Sequence, residues 1–565
     1  MSLLGSLQIA NNSLLATQIG LQVIGNNVAN SNTPGYTRQD VVYEPAPTQM
    51  VGTLPIGLGV QVRAIIQHAD RFINERLRGS ISDVENTEAQ KQSYLQLESI
   101  LGELSETDIS SSLNRFFSSI HDVLNQPEDL AVRNLARLQG ETLAQDIQRL
   151  DERVRQIRVD VNNNIASAAA DINRLLGQVA QLNIQIVAAE GGDSNGSDAG
   201  SLRDQRSLAL GDLSKIIGLR VVEQPSGAVT VFSAGDYLVF DGEARAVTVE
   251  YAEDRGLSAA TINIADSVSP IASSTGKLAG LYAARDEVLG GFLDDLDDFA
   301  HTLVFEFNKV YSSGQGLTGF DSVESEFQVA DTRDALDQAG LDFTPVNGTF
   351  QVLVRNKRTE LTTTTDVRID LNGLDEDTSL ADLAAQLDAI DGISAQINTT
   401  RGLNISADSG VIEFAFGNDT SGVLAALGIN TFFQGYDANT IGINEVVARD
   451  PTKFTVSRSG IGQDSDNAVL LAGLANSPLE ATGGRSLTEY YEKFTGEMYQ
   501  ASATVQAVND GFRTFQKTLE GQQLGISGVS VDEQAVKMIQ HQRIFQASAR
   551  LISAINELLE VLVNL

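Results

Sequence analysis

The sequence predicts a mainly α-helical chain with inserted β domains: long terminal coiled-coil helices, an elongated helical rod domain and one or two compact β-rich domains. Three observations predict it. Apolar residues recur at alternating four- and three-residue steps near both ends. The same spacing resumes over long stretches further inward. Between those stretches the apolar period drops to two, the signature of half-buried strands.

At the start, Leu3, Leu7, Ala10, Leu14, Thr17, Leu21, Ile24 and Val28 follow the four-three spacing. This places a narrow seam on one face of a helix ~40 Å long. Asn11, Asn12, Gln18 and Gln22 occupy the other faces. A stripe this narrow is not buried by its own helix and needs a partner helix. At the other end, Ser530 and Glu533 have capping-box spacing and mark a helix start. Met538, Phe545, Ile552, Ile555, Leu559 and Leu562 then share one stripe, with Ala549 beside it. The two terminal helices are expected to pair with each other or with copies in neighbouring subunits.

The stretch "NVANSNTPGYTRQ", Asn27 to Gln39, closes the first seam. Val28 is the last heptad residue, Asn30 to Asn32 leave the helix, and Thr33-Pro34-Gly35 forces a turn. Tyr36 begins an extended segment. No acid–base partner stands near Tyr36 or Arg38 in sequence, so both are expected to pack and pair at a seam. Asn32, Pro34, Gly35, Tyr36 and Arg38 thus read as a joint between two structural pieces.

Further inward, Leu143, Ile147, Leu150, Val154, Ile157 and Val161 keep the spacing, and Ile165, Ala168, Ile172, Leu175, Val179, Leu182 and Ile186 resume it after one extra four-residue step. Such a stutter relaxes a supercoil locally. The helix is expected from about Pro127 to Glu190, ending at the loop "GGDSNGSDAGS", with a shorter helical stretch over about Ile81 to Leu124 before it. Ser486 and Glu489 cap a further helix, whose seam runs from Leu487 to Leu519; Leu289 to Val310 supplies another. Short strands are expected within Ala228 to Ile264. From Phe320 to about Gln434, Phe350, Val352 and Val354 alternate, as do Val367, Ile369 and Leu371, and Ile412, Phe414 and Phe416, with one short capped helix at Ser379 to Leu387. The expected division is residues 1–45 and 527–565 as an inner-core domain of terminal helices, 46–217, 276–319 and 436–526 as a helical rod domain, 218–275 as a small β-rich segment, and 320–435 as an inserted β-rich outer domain.

With 39 basic and 74 acidic residues the formal charge is −35. That balance repels nucleic acid and anionic membrane surfaces. No cysteine is present, so disulfides and thiolate metal sites are excluded. The N-terminal stretch has no basic region followed by an apolar core, and no 18-residue apolar run occurs, so neither a cleaved signal peptide nor membrane insertion is expected. "GQGLTG", Gly314 to Gly319, matches a dinucleotide-loop pattern, but a helix precedes it where a strand is required, and it reads as a flexible exit from that helix. "SSTGKL", Ser273 to Leu278, lacks the first glycine of a phosphate loop and has Leu278 where Ser or Thr belongs. His68, His121, His301 and His541 share no metal-ligand spacing and read as surface or half-buried helix residues. "LDDLDDF", Leu293 to Phe299, reads as a solvated helix face. No nucleophile–base constellation is supported by spacing, so no catalytic residue, cofactor or metal is assigned.

"NNVANSNTPGYTRQ" near the start and "SGVSVDEQAVKMIQHQRIFQASARLISAINELLEVL" at the end resemble the flagellar axial proteins, the rod, hook and hook-associated components. Within them the chain looks like the hook-associated proteins at the hook–filament junction. Three internal stretches carry that likeness: "SLRDQRSLALGDLSKIIGL", "GKLAGLYAARDEVL" and "DTSGVLAALGINTFFQG". The sequence departs from the family pattern at Gln534, where Glu is common, at Phe545, where Tyr is common, and at "VYSSGQGLTGFDS". The resemblance implies a structural, non-enzymatic subunit of the extracellular flagellum. It implies export by the flagellar type III route without a cleaved signal, with a chaperone on the C-terminal region. Its implied partners are itself in a ring-like helical layer, the hook protein, and the next hook-associated junction protein, with flagellin following. Terminal helices that fold only on assembly are implied too. A hook or filament subunit, or a secreted enzyme or adhesin on a helical stalk, are the competing readings. The Gly422 to Gly435 stretch separates the first of these from the junction proteins, and a site within Phe320 to Gly435 would mark the second.

Overall fold

The computed structural model describes residues 3–51, 54–103, 108–191, 196–271, 273–374 and 376–563. They fall into two compact units. One comprises Met1–Ser93, Val159–Asp286 and Ala503–Leu565; the other comprises Tyr94–Arg158 and Glu287–Ser502.

The first unit holds the terminal helices, Leu3–Ala29 and Val531–Val563, packed side by side. The strand Gln39–Pro45 follows the joint and pairs antiparallel with Val60–Gln67, with a bulge at Val42/Tyr43. The 61-residue helix Leu130–Glu190 contributes its second half to this unit. There Ile165, Ile172, Val179 and Ile186, seven residues apart, are all fully buried. The strands expected within Ala228 to Ile264 form two small antiparallel sheets. Arg220–Glu223, Val229–Ser233, Asp236–Phe240 and Glu243–Ala244 lie in sequential order in one; Leu257–Ile264 is central in the other.

Beside the buried apolar side chains of these strands, three asparagines tie the sheets to the helix through backbone groups that would otherwise be unpaired. Asn183 donates to Val229 O (2.8 Å) and accepts from Val229 N (3.0 Å). Asn173 treats Val247 the same way, at 2.9 and 2.8 Å. Asn162 donates to Ser258 O (3.0 Å) and accepts from Ala260 N (2.7 Å).

The second unit is built on a ring cluster. Phe116, Phe307, Phe432 and Phe433 meet at centroid distances of 4.8 to 5.6 Å. Phe432 and Phe433 come from "DTSGVLAALGINTFFQG", and the structure explains that stretch. Asp419 accepts the N–H groups of Ser421, Gly422 and Leu424, capping the short helix Val423–Leu427. Asn308 Oδ1 accepts both Phe432 N (3.0 Å) and Phe433 N (3.1 Å). Gly140 on the long helix leaves the space for Phe432: a Cβ there would sit 2.6 Å from the ring. The strand Gly348–Asn356 lies between Thr362–Ile369 and Ile412–Gly417, and Phe350, Val352, Val367, Ile369, Phe414 and Phe416 are buried in one core. The expected short helix is Leu380–Asp388, with Ser379 and Asp382 closing a capping box.

Four expectations are corrected. The helical stretch before the long helix is two helices, Arg71–Glu103 and Ile109–Asn125; Asp108 starts the second by accepting Ser111 N (2.5 Å). "GQGLTG" is not a flexible exit. Gln315 is buried, its N–H donates to Ser457 O (2.8 Å) and its side-chain amide to Phe416 O (2.6 Å), while Leu317 N and Gly319 N donate to Thr452 O and Glu413 Oε2. In "LDDLDDF", Asp297 does not face water with its neighbours. It is half-buried and accepts Ala438 N (2.9 Å), and burial raises its pKa to about 6. His68 stands in the connection after Val60–Gln67, not on a helix.

Candidate assembly site at the terminal helices

The terminal helices run antiparallel in a register that steps seven residues on each. Asn27 Nδ2 donates to Gln534 Oε1 (3.2 Å), Gly20 faces His541, and the hydroxyls of Ser13 and Ser548 lie 3.0 Å apart. All three layers are polar or glycine-based. A Cβ on Gly20 would meet the His541 ring at 2.6 Å and the Tyr43 hydroxyl at 2.7 Å, so a larger residue there has to displace both side chains. Tyr43 and His541 stack at 6.4 Å. Burial, and then the Lys537 charge, lowers the pKa of His541, so the ring in the seam is neutral.

The anticipated seam residues are distributed around these layers. On the first helix Ile24 is buried, and Leu3, Leu7, Leu14, Leu21 and Val28 are half-buried. The fully buried stripe is instead Ala10, Ala16, Thr17, Gly20, Val23, Ile24 and Asn27, of mostly small or polar residues. On the last helix Ile555 is buried, and Met538, Phe545, Ile552 and Leu559 are half-buried. Leu562 is helical, but its side chain lies outside the described residues. Sequence reasoning missed Asn27, Gly20, Gln534, His541 and Ser548, because an apolar count skips polar seam positions. The signal was present: Gln534, Met538, His541, Phe545, Ser548, Ile552, Ile555 and Leu559 give an unbroken four-three run.

The last helix also carries a second stripe. Ile544, Leu551 and Leu558 are 45 to 55 % exposed at seven-residue intervals, with Val561 beside them. Leu4 and Leu15 are exposed on the first helix. Nothing among the described residues covers these side chains.

The joint is organised by Asn27. Its Oδ1 accepts the Tyr36 hydroxyl (2.8 Å) and Gln39 N (3.0 Å), and its Nδ2 donates to Gln39 O (2.8 Å). Burial, and then the Asp204 charge, pushes the Tyr36 phenol up to about 12, which keeps it a proton donor at neutral pH. Asn32, Pro34 and Gly35 are exposed in the turn. Gly35 has φ 75°, and a Cβ there would strike Leu208 at 2.5 Å. Arg38 N donates to Ser527 O (2.9 Å), and the Arg38 guanidinium lies 3.4 Å from Glu533, which Lys537 also pairs at 2.9 Å. Lys537 and His68 both reach Asp40, at 3.4 and 2.8 Å. The joint residues and Leu524 to Glu533 line a groove of about 590 Å³. This arrangement holds a chain reversal in place; it contains no nucleophile and base set to react. At Ser273 to Leu278, Gly276 N donates to Ser82 O, so the phosphate-loop-like stretch spends that backbone donor inside the fold. Among the described residues no grouping of His, Asp and Glu is arranged to hold a metal, and no helix is long and apolar enough to cross a membrane.

The family "Flagellar hook-associated protein FlgK helical domain" matches residues 94–326. "Flagella basal body rod protein" matches residues 7–37, and "Flagellar basal body rod FlgEFG protein C-terminal" matches residues 521–565. The flagellar hook-associated protein 1 of Salmonella typhimurium is 24 % identical over 98 % of this chain and 99 % of its own. That of Bacillus subtilis is 23 % identical over 99 % and 97 %. The fold is similar to that of the flagellar hook junction protein FlgK from Burkholderia pseudomallei, with a TM-score of 0.50 and 15 % identity over 80 % of this chain and all of that one. With matches to a hook-associated helical domain in its middle, to rod-type segments at both termini and to these relatives end to end, the chain is similar along its whole length to flagellar hook-associated protein 1.

Proposed function

We propose that the chain is a structural subunit of the bacterial flagellum that forms the junction layer between hook and filament and templates assembly of the next hook-associated protein and of flagellin. The observation that carries this reading is the uncovered second stripe, Ile544, Leu551 and Leu558, on a helix whose first stripe is already used. A helix with two apolar seams has one too many for a single partner, and repeated head-to-tail contacts through such a seam build helical layers. Residues 1–45 and 527–565 form the inner core of that layer in this reading, with Asn32, Pro34, Gly35, Tyr36 and Arg38 as its joint. The subunit meets its own copies, the hook protein and the next junction protein. It works outside the cell without catalysing a reaction, leaves by the flagellar export route, and is held before export by a chaperone on its C-terminal region.

Deletion in the source organism tests the role: hooks remain intact, filaments are lost and flagellin is shed into the medium. Complementation with the triple variant Ile544→Gln, Leu551→Gln, Leu558→Gln reproduces the loss, while the secreted variant unfolds at the wild-type temperature. Filaments on the deletion strain end the junction assignment, and filaments with the triple variant remove the second stripe from it.

A further inference from the structure

A cavity of about 590 Å³ in the first unit is lined by five arginines, Arg71, Arg78, Arg203, Arg206 and Arg220. The chain has 74 acidic side chains for 39 basic ones, so by composition every cation has carboxylates to spare. Three of the five are partnered. Arg203 pairs with Glu190 (2.6 Å) and Glu223 (2.7 Å), and Arg71 with Glu223 (2.7 Å). Arg206 donates to Asn183 Oδ1 (3.0 Å) and Gly227 O (2.7 Å).

Arg78 and Arg220 are different. Among the described residues neither has a hydrogen-bond or ion-pair partner; the Arg220 guanidinium lies over the Phe232 ring at 5.3 Å. Arg78 is half-buried and Arg220 exposed, and both face the same space. Three of the four lining carboxylates are engaged: Asp198 accepts Gln67 N (2.7 Å), Asp204 accepts from Thr37 and Gln67, and Glu223 holds Arg71 and Arg203; the fourth, Glu75, acts on Arg78 as an opposing charge without forming an ion pair with it. Burial lowers the pKa of Arg78, with Glu75 as the opposing charge.

We propose that this cavity binds an oxyanion, a phosphate or carboxylate group taken by Arg78 and Arg220. Guanidinium groups match such oxygens with parallel N–H donors, and a half-buried, unpartnered guanidinium is stabilised most by a charge brought to it. The anion is either free in solution or carried by an acidic side chain of a second copy of this acidic chain.

Calorimetric titration of the full chain with inorganic phosphate, at constant ionic strength against chloride, tests it. Saturable binding is expected, weakened ~10-fold or more by Arg78→Gln. Arg220→Gln, at an exposed position, is expected to weaken it likewise without risk to folding. Arg333→Gln, an exposed arginine in the other unit, leaves it unchanged. No saturable binding, or binding by both cavity variants equal to wild type, overturns the proposal. Sedimentation distinguishes the sources. Self-association that phosphate dissolves and Arg220→Gln abolishes assigns the anion to a second copy; phosphate binding without self-association assigns it to a free ion.

Discussion

Glu326 keeps a carboxyl group inside the second unit with only half of it satisfied. Its Oε1 accepts Gly435 N (2.9 Å), while Oε2 is sealed from water without a partner. Burial raises its pKa to about 7 against the opposing hydrogen bond from Gly435. The folded chain therefore holds a proton that the unfolded chain releases between the ordinary carboxyl range and about 7. Stability from this group is full at low pH and is lost as pH rises through that window. Glu326→Gln removes the ionisation and keeps an acceptor for Gly435. The variant is expected to gain stability relative to wild type as pH goes from 5 to 8, read as the difference in unfolding temperature at each pH. A difference that does not change with pH removes Glu326 from the pH dependence. Gln534 illustrates the same economy in the seam. It is fully buried; its Oε1 accepts from Asn27, while its Nε2 is sealed in without a partner among the described residues.

The long helix Leu130–Glu190 shows what an element's apolar stripe leaves unsaid. Asn162, Asn173 and Asn183 are spaced by close to three helical turns, so they repeat along one face and each reaches a strand backbone. Asn173→Leu leaves both backbone groups of Val247 without their partner. This is expected to cost about 1–3 kcal/mol in urea unfolding. Asn163→Leu, at an exposed position of the same helix, is expected to change little. Equal effects from the two substitutions contradict the backbone-capture role of Asn173. The stripe itself was legible in the sequence: Leu143, Ile147, Leu150, Val154, Ile165, Ile172, Val179 and Ile186 are all fully buried. The strands from Ala228 to Ile264 and the alternation at Phe350, Phe414 and Phe416 were legible for the same reason, since a period marks which face is covered. The strand pair Gln39–Pro45 and Val60–Gln67 was read only at its first strand, because its burial pattern is mostly intermediate and carries no clean alternation. The joint was legible as a turn from Thr33, Pro34 and Gly35. Its organiser, Asn27, was not, because the contact to Tyr36 depends on where the chain returns after the turn.

For the whole molecule, the contrast lies between the cores and the terminal pair. The ring cluster around Phe432 and the long-helix seams are dry and close-packed, and Arg133 and Arg158 are almost wholly buried. The terminal helices instead meet through three polar layers and several small residues, with Ile544, Leu551 and Leu558 left in solvent. Elements with few dry apolar contacts open at the lowest free energy, and termini are where proteolysis concentrates. A subunit that completes its seams only against neighbours gains most of its terminal stability on assembly. Brief trypsin treatment of dilute, free subunit is therefore expected to cut first at the exposed Arg543 and Arg550, and then to remove ~40 residues from each end, leaving a stable middle. Cleavage at Arg133 or Arg158 is expected only after global unfolding. Assembled subunits should lose this sensitivity, because the partner helices then cover the second stripe. Terminal helices that resist trypsin in the dilute subunit as firmly as the middle does would rule out folding coupled to assembly.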